Sequence, residues 1–589
     1  MEGKINRKEN FQFSIFNFHL FIWLLVIGLL VYSRFINLGW GLPYPMHPDE
    51  HNMANAIQGL NCEISNFKFQ ISNCLNLHFY AYGQLPLYLA YFLIWVVRGF
   101  REIGKMGINL EEAVLALRTI SAVASVINAI IVIKIIKVII KKKEYPSWMM
   151  WTLVIFSPYT IQFAHFGTTE SLLMLFYSLI VYYSLKALDS RLRGNDIFFL
   201  SLFSGLALAT KVSSAIFLAV PIIVIASEAK QSLSLRSLRR LRLLAMTLSN
   251  VFLYIIFTFL FAIIFSPHNL LNWPEFIGAL RYESAVAIGA IKVFYTRQFE
   301  GTIPVWFQLT KVFPYALGWP LWILGGLGVL GLGWKDKRIN LLRFAFLIYF
   351  LPTAFLFAKW SRFMAPSFPL ILIFSILFLL KLYDWFYHYI WINLKFKIQN
   401  SKVQIKIKNF KTFDFLPVFL TFTFLLLTFI SILPGISYLS VYQKPDVRFQ
   451  ASEWIYKNIP NNSYILSETA NVVDIPIELE SYKVHKVYKV ISFNFYDLDE
   501  NSQLQEELKE HLAKADYIFV PSRRIFANLN NRYPLLNKYY TDLFSGKLGF
   551  EKVAEFSAGL NDEQAEETWT VFDHPVIRIY KRISNLKSF

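Results

Sequence analysis

Long apolar segments separated by short polar connections make up the first 440 residues of this 589-residue chain. An apolar segment of about 20 residues is long enough to cross a bilayer as a helix. The pattern therefore predicts a polytopic α-helical membrane protein with about eleven transmembrane helices. Their approximate centres are Ile27, Ile127, Ile155, Tyr177, Leu202, Val220, Ile255, Ile323, Ile348, Ile373 and Leu425.

One apolar segment, residues 85–97, is too short to be a twelfth crossing at about 13 residues. Counting it as a crossing would also put the basic run at 141–143 outside and invert every later connection. We expect it to form an interfacial or re-entrant helix below the first outer loop.

The pattern changes to that of a soluble domain at residue 441. Residues 446–459 and 503–515 have helical spacing, and four short apolar runs have the composition of strands. These predicted strands are residues 464–468, 486–492, 517–522 and 576–583. The sequence thus predicts a transmembrane domain over residues 1–440 and an extracytoplasmic α/β domain over residues 441–589.

The composition supports the prediction of a membrane protein, and the distribution of basic residues predicts which connections lie on which side of the membrane. The chain is 55% hydrophobic and only 17% charged, with a net charge of +18. Residues 441–589 hold 18 basic and 21 acidic residues, whereas residues 1–440 hold 40 basic and 19 acidic ones. Of those 40 basic residues, 27 lie in six short segments that alternate with less basic connections. This alternation is the positive-inside pattern of a membrane protein and argues against a nucleic-acid partner.

The same rule orients the chain as a multi-pass plasma-membrane protein. The N-terminus, with Lys4, Arg7 and Lys8, is predicted to be cytoplasmic, and the first span is predicted to be a signal anchor. Residues 441–589 are then extracytoplasmic. The two cysteines, Cys62 and Cys74, both fall in the first outer loop, where a disulfide and a pair of free thiols remain alternatives.

Ionisable side chains close to membrane spans are costly and indicate function. The predicted topology places seven of them at the outer ends of spans. They are Asp49, Glu50, Glu170, Lys211, Arg297, Lys359 and Arg362. Carboxylates and cations on one face suit glycosyl transfer from a lipid phosphate, because a carboxylate accepts the acceptor's proton and cations hold the phosphate leaving group.

Simpler interpretations of individual residues stay open. An acidic pair at a helix end is often merely hydrated, Lys359 is equally suited to anchoring the chain at the interface, and Arg297 has a nearby partner in Glu300. His47 and His51 flank Asp49 at alternate positions, so a divalent cation held by these three side chains is a further hypothesis. No other cofactor is predicted.

Two other functions compete with an enzyme of lipid-linked sugars. The chain is alternatively a transporter or flippase of such lipids, although charges at the outer rim and the absence of an internal repeat favour the enzyme. In the other alternative the outer α/β domain does the work and the spans anchor it, for which eleven crossings are far more than needed.

Several motifs, taken together, resemble the membrane-embedded GT-C glycosyltransferases of family 39 type, which include protein O-mannosyltransferases and the lipid A aminoarabinose transferase. HPDEHNMANAI, with Asp49 and Glu50, is similar to the acidic motif of the family's first outer loop. FGTTESLLMLF resembles its second acidic position, where this chain has Glu170 in place of the usual Asp. GLALATKVS, YTRQFEGTIP and KWSRFMAPSFP resemble its basic positions near the lipid phosphate, which are Lys211, Arg297, Lys359 and Arg362 here.

The resemblance covers about residues 15–440 and implies an inverting glycosyltransferase facing outward. It implies a polyprenyl-phosphate sugar as donor, with Asp49 as the catalytic base or acceptor-positioning carboxylate and Glu50 supporting the loop or a metal. Whether the acceptor is a protein, a glycan or a lipid, and which sugar is moved, stay open.

Overall fold

Helices dominate the first 443 residues of the computed structural model, and a five-stranded sheet lies in the rest. The structure describes residues 20–60, 75–99, 107–141, 143, 145–189, 193–231, 237–399, 411–469, 472–479, 487–528 and 532–583, with the backbone alone at 228–231, 237–244, 387–399 and 411–421. Cys62 and Cys74 and the basic residues of the N-terminus lie outside this description.

All eleven predicted span centres fall within helices. The helices of this part are Leu20–Phe35, Pro48–Gln58, Leu85–Val97, Leu110–Ile140, Ser147–Ile155, Pro158–His165, Glu170–Asp189, Gly194–Thr210, Val212–Leu218, Ala219–Gln231, Ser237–Phe265, His268–Leu271, Trp273–Ile288, Phe294–Phe299, Gln308–Val312, Phe313–Leu317, Trp319–Gly331, Lys337–Ala354, Ser361–Met364, Ala365–Ser367, Phe368–Gln399 and Lys411–Gln443. The length of the apolar segments was thus sufficient to predict that they form helices.

Length and composition identify fewer spans than the sequence predicts. Within the described residues, five helices are long and apolar enough to cross a membrane, and a sharply bent pair, Gln308–Leu317 with Trp319–Gly331, makes a sixth if it is one span. Four further apolar helices are shorter, and one of these is the predicted interfacial helix Leu85–Val97. The described part of the chain is therefore mostly helical with five or six such helices, and the count of eleven stays a prediction.

One predicted span is broken, and the break has an identifiable cause. The span centred on Ile155 consists of two helices, Ser147–Ile155 and Pro158–His165. Pro158 has no N–H to continue the hydrogen-bond ladder, so carbonyl groups at the end of the first helix lose their partners. The fully buried Arg34 donates to the carbonyl of Ile155 at 3.0 Å and to Thr160 Oγ1 at 2.6 Å. The buried guanidinium thus donates to a carbonyl group that the break leaves without its backbone partner. Such a partner is needed because an apolar interior offers no water to that carbonyl.

The outer connection 266–310 is also more ordered than the sequence suggested. It contains the 16-residue helix Trp273–Ile288 and a 3-10 helix, Phe294–Phe299. The first of these begins with Trp-Pro and ends at Gly289 in the left-handed conformation, which are common start and stop signals of helices. This connection forms one wall of the cavity described below.

The C-terminal part is an α/β unit, as predicted. Strands β1 (Tyr464–Glu468), β2 (Lys489–Phe493), β3 (Tyr517–Val520), β4 (Phe550–Phe556) and β5 (Ile577–Arg582) form one sheet in the order β2-β1-β3-β5-β4. The sheet is parallel at β2-β1-β3 and antiparallel at β3-β5-β4. The helices of this part are Val447–Asn458, Ser502–Lys514, Phe526–Asn528, Pro534–Phe544 and Glu567–Thr570.

Four of these strands match the predicted runs within a few residues, but β4 and the helix Pro534–Phe544 were missed. β4 is an edge strand whose side chains are mostly exposed, so charged residues interrupt the apolar signal on which strand prediction depends.

Candidate functional site

A cavity of about 480 Å³ lies where the helical part meets the C-terminal part. Three of the predicted site residues, Asp49, Lys211 and Arg362, line it together although they are far apart in the sequence. Its volume is in the range of small-molecule sites. The apolar part of the cavity lining, called its apolar side, includes Leu173, Ile216, Phe276, Leu280, Val286, Ala287, Pro352 and Leu356.

Asp49 reaches the cavity from the first turn of helix Pro48–Gln58. Its carboxylate forms an ion pair with the guanidinium of Arg362, and both side chains are about five-sixths buried, at 16% and 17% exposure. Arg362 belongs to the single-turn helix Ser361–Met364, and its guanidinium lies 4.7 Å from the centre of the Trp360 ring. A carboxylate and a cation thus face each other at the cavity wall.

Lys211 is placed by a close backbone contact. The N–H of Gly83 donates to the carbonyl of Thr210 at 2.9 Å, and a Cβ at Gly83 would lie 2.0 Å from the carbonyl oxygen of Ala209. Only glycine permits this approach. The contact brings Tyr82 to Lys211, whose ammonium group is 4.8 Å from the centre of the tyrosine ring.

Glu170 lies behind Lys211 and does not appear among the cavity-lining residues. Its carboxylate oxygen Oε1 is 3.7 Å from Lys211 Nζ, and its side chain is 3% exposed. The sequence places Glu170 with the catalytic residues. In this geometry it is suited to holding Lys211 in position rather than to touching a substrate.

Glu50, predicted as catalytic beside Asp49, points away from the cavity and is buried. Two hydrogen bonds of 2.7 Å join its carboxylate to Arg118, and the N–H of Gly167 donates to the same carboxylate at 2.7 Å. Arg118 also donates to the carbonyls of Leu38 and Trp40. Neighbouring residues of a helix point in different directions, so the pair Asp49-Glu50 divides into one cavity residue and one buried anchor.

Two of the predicted phosphate ligands lie elsewhere. Arg297 pairs with Asp497 at 2.9 Å and with Glu500 at 3.4 Å, so it joins the outer connection to the C-terminal part and does not bind Glu300. Lys359 donates to the carbonyl of Phe357 at 3.0 Å and is 3% exposed. Neither is among the residues that line the cavity.

His47, Asp49 and His51 do not form a metal-binding group in the described residues, and the divalent cation stays a prediction. No group of three or more His, Cys, Asp or Glu side chains converges within the part of the chain that the structure describes. The His47 ring packs against Phe166 and Phe572, with centroid distances of 4.7 and 4.4 Å. Burial, helped by the nearby cations Arg362 and Arg118, lowers the pKa of His47 well below its usual value. His51 instead contacts Asn55 at 3.1 Å.

The C-terminal part supplies a wall of the cavity that the sequence did not reveal. Arg524, Glu567, Thr568 and Phe572 line the cavity, and all but the first lie in residues 560–576, called the docking loop below. In the sequence, the one indication that this segment forms part of a site is the concentration of acidic residues, aromatic residues and a histidine between Asp562 and His574. Tyr82, Glu283, Tyr295 and Trp360, also in the lining, were not predicted either.

Buried polar contacts hold the docking loop on the membrane helices. Asp573 accepts hydrogen bonds of 2.7 Å from the hydroxyl groups of Tyr438 and Tyr442, both on the last membrane helix. The His574 ring lies between Asp573 at 2.6 Å and Asp562 at 2.9 Å. These two carboxylates raise the pKa of His574 to about 10 despite its burial, so the ring is an imidazolium at neutral pH.

The docking loop also carries a carboxyl group with a raised pKa. Burial first, and then the charge of Glu567, raises the pKa of Glu566 to about 7. In the sheet, burial raises the pKa of Glu468 to about 8. These two shifts and that of His574 make the folded chain bind protons more tightly than the unfolded chain.

Comparison with known proteins finds solved structures that are similar to this chain. No family model and no curated protein sequence matches the chain. The archaeal oligosaccharyltransferase AglB from Archaeoglobus fulgidus, solved with an inhibitory peptide and a dolichol-phosphate, is 13% identical, with 89% of this chain and 72% of that chain covered and a TM-score of 0.47. ArnT from Cupriavidus metallidurans bound to undecaprenyl phosphate is 11% identical, with 96% and 98% covered and a TM-score of 0.45. The apo form of that ArnT is 12% identical, with 98% and 100% covered and a TM-score of 0.45. The identities are low, so the function is argued below from this chain's own residues.

We expect substitution of Glu50 or Arg118 to reduce the stability of the protein rather than to remove a catalytic group. Removing one partner leaves the other as an unpaired buried charge, which costs about 3–5 kcal/mol. We expect Glu50→Ala and Arg118→Leu to lower the melting temperature of the purified protein and its yield in membranes. The matched control is Asp49→Ala, which removes a carboxylate one residue away but at the cavity wall. Melting curves of both Glu50 and Arg118 variants equal to that of the parent would contradict this assignment.

The raised pKa values predict that the protein loses stability as pH rises. Such groups stabilise the fold fully below their unfolded pKa values, and that contribution is lost as pH rises through the folded values of about 7, 8 and 10. The melting temperature, followed by tryptophan fluorescence, should therefore fall from pH 6 to pH 9. His574→Gln should flatten the upper part of this profile, and an identical slope in parent and variant would refute the role of His574.

Proposed function

We propose that this chain is a glycosyltransferase that moves a sugar from a polyprenyl-phosphate donor to an acceptor hydroxyl. The observation that carries the proposal is the convergence of Asp49, Lys211 and Arg362 on one cavity with an apolar side. A lipid phosphate needs both cations and apolar surface, and a hydroxyl acceptor needs a base. The single cavity offers all three.

The reaction is a single displacement. Asp49 accepts the proton of the acceptor hydroxyl, whose oxygen attacks the anomeric carbon of the sugar. The bond from that carbon to the phosphate oxygen breaks, and the polyprenyl phosphate leaves with the electron pair. Because the acceptor attacks opposite the leaving group, the anomeric configuration inverts.

Lys211 and Arg362 stabilise the leaving phosphate. Charge-assisted hydrogen bonds to phosphate are stronger than neutral ones, and a guanidinium can offer two parallel donors. Arg362 pairs with Asp49, and a bound phosphate would draw the guanidinium from the carboxylate and leave Asp49 ionised for the acceptor. The apolar side of the cavity would then take the first isoprene units of the donor.

The aromatic lining suits the sugar. The rings of Tyr82, Tyr295 and Trp360 face the cavity together with Asp49. Aromatic side chains present a rigid apolar surface with a polar edge, which matches the mixed faces of a sugar ring. We place the reaction at the extracytoplasmic face of the plasma membrane, on the strength of the basic connections that alternate along the sequence. A transporter is not favoured, because one cavity brings together two cations, an apolar side and a carboxylate that can act as a base.

Loss of either phosphate-binding cation should weaken donor binding. Each charge-assisted contact contributes about 1.5–3 kcal/mol, so Lys211→Ala and Arg362→Ala should raise the Kd for undecaprenyl phosphate by about tenfold or more. Binding is measured on purified protein in nanodiscs. Lys359→Ala is the matched control, since this cation is near Arg362 in sequence but outside the cavity lining. Unchanged affinity in both cavity variants would remove them from the phosphate site.

Asp49→Asn should abolish turnover while donor binding persists. The amide keeps the shape of the carboxylate but cannot accept the proton, so kcat should fall by about a hundredfold or more. The measurement is release of polyprenyl phosphate from a panel of polyprenyl-phosphate sugars, on membranes with matched expression. Full activity in this variant would refute Asp49 as the base, and retained anomeric configuration in the product would refute the single displacement.

A further inference from the structure

Two adjacent carboxylates of the docking loop grip the segment that leads into Arg362. Glu566 Oε2 accepts a hydrogen bond of 2.7 Å from the N–H of Ser361, and Glu567 Oε1 accepts one of 3.1 Å from the indole N–H of Trp360. Both carboxylates are almost completely buried, at 1% and 2% exposure. The two residues that they hold directly precede Arg362 in the chain.

The segment they hold is the first turn of a long helical run. Ser361–Met364 continues through the short 3-10 turn Ala365–Ser367 into Phe368–Gln399, so Arg362 lies at the start of this run. Its first N–H groups have no partner within the turn. Glu566 supplies a partner to the N–H of Ser361 through its carboxyl oxygen Oε2.

Glu567 acts through an aromatic ring. It fixes the indole of Trp360, which also packs edge-to-face on Phe299 and Phe363. The guanidinium of Arg362 lies over this indole at 4.7 Å. The position of the Arg362 charge therefore depends on the indole, and the indole depends on Glu567.

The carboxylates are themselves held rigidly. Glu566 Oε1 accepts from the N–H of Thr568 at 3.1 Å, and Glu567 Oε2 is 3.2 Å from Arg524 Nε. Burying two adjacent acids is costly unless every oxygen is used. Here the oxygens connect the C-terminal part on one side to the Arg362 segment on the other.

We propose that Glu566 and Glu567 are positioning residues that hold Arg362 in the geometry that binds the donor's phosphate. The soluble C-terminal part is then a working part of the site, since it sets where the phosphate-binding charge stands. This inference rests on the proposed function, because it takes Arg362 as a phosphate ligand.

The test combines the two positioning residues with Arg362. Glu566→Gln/Glu567→Gln is made in the parent chain and in Arg362→Ala, and the Kd for undecaprenyl phosphate is measured in nanodiscs. In the parent chain we expect the double substitution to raise the Kd by about fivefold or more. In Arg362→Ala it should add nothing, because residues that act through one group are not additive.

Two further measurements separate positioning from a general loss of structure. Glu563→Gln removes a charge from the same loop, but its partner is Arg578 within the C-terminal part, so it should leave the Kd unchanged. Hydrogen exchange without lipid should show faster exchange over residues 360–364 in the double variant and not in Glu563→Gln. The single variants provide chains closer to the parent if the double variant is poorly folded.

The outcomes distinguish this inference from the proposed function. Equal weakening of phosphate binding in the parent and in Arg362→Ala would overturn the positioning role alone. Unchanged exchange over residues 360–364 together with an unchanged Kd would also overturn it. If Arg362→Ala itself binds undecaprenyl phosphate as tightly as the parent, the phosphate assignment falls, and the proposed function loses its support even where the exchange result stands.

Discussion

The buried ion pair between Glu50 and Arg118 is the contact on which the geometry of the cavity depends. It joins the helix that carries Asp49 to the long helix Leu110–Ile140, and through Gly167 to the turn before Glu170. A Cβ at Gly167 would lie 2.7 Å from the Glu50 carboxylate, so the three elements meet without spare room. Because neither charge can be left alone in an apolar interior, this junction is strongly constrained, and it fixes the helix from which Asp49 reaches the cavity.

Charge in this protein is consequently divided between two tasks. Charges that are wholly enclosed and satisfied by the protein, such as Arg34 with its carbonyl acceptors and His574 with its two aspartates, hold elements together. Less enclosed charges, such as those of Asp49, Lys211 and Arg362, face the cavity. The same residue types thus serve structure or chemistry according to how completely the protein satisfies them.

The sequence predicted the elements well because helices and strands follow from local periodicity. It predicted Asp49, Lys211 and Arg362 as one group from topology and motif, and the structure brings these three together. Arg297 has the same sequence signal, but its pairing with Asp497 depends on a tertiary contact that no local pattern encodes. Lys359 also has that signal, but its ammonium group turns back to the carbonyl of Phe357, two residues earlier in the chain. Glu50 also shows that local sequence does not predict the partners of a charged residue. It is adjacent to Asp49 on the same helix, yet Asp49 lines the cavity and Glu50 is buried against Arg118. The docking loop was missed for a related reason, because its acids resemble a solvated surface until their partners are known.

The docking loop follows the membrane helices that the structure describes, and this order has a consequence for biogenesis. Because those helices are made and inserted first, the cavity lacks one wall during synthesis. Residues 560–576 can complete that wall only once they have reached the side of the membrane on which the cavity lies and the sheet around them has formed. Completion of the cavity is therefore a post-insertion event.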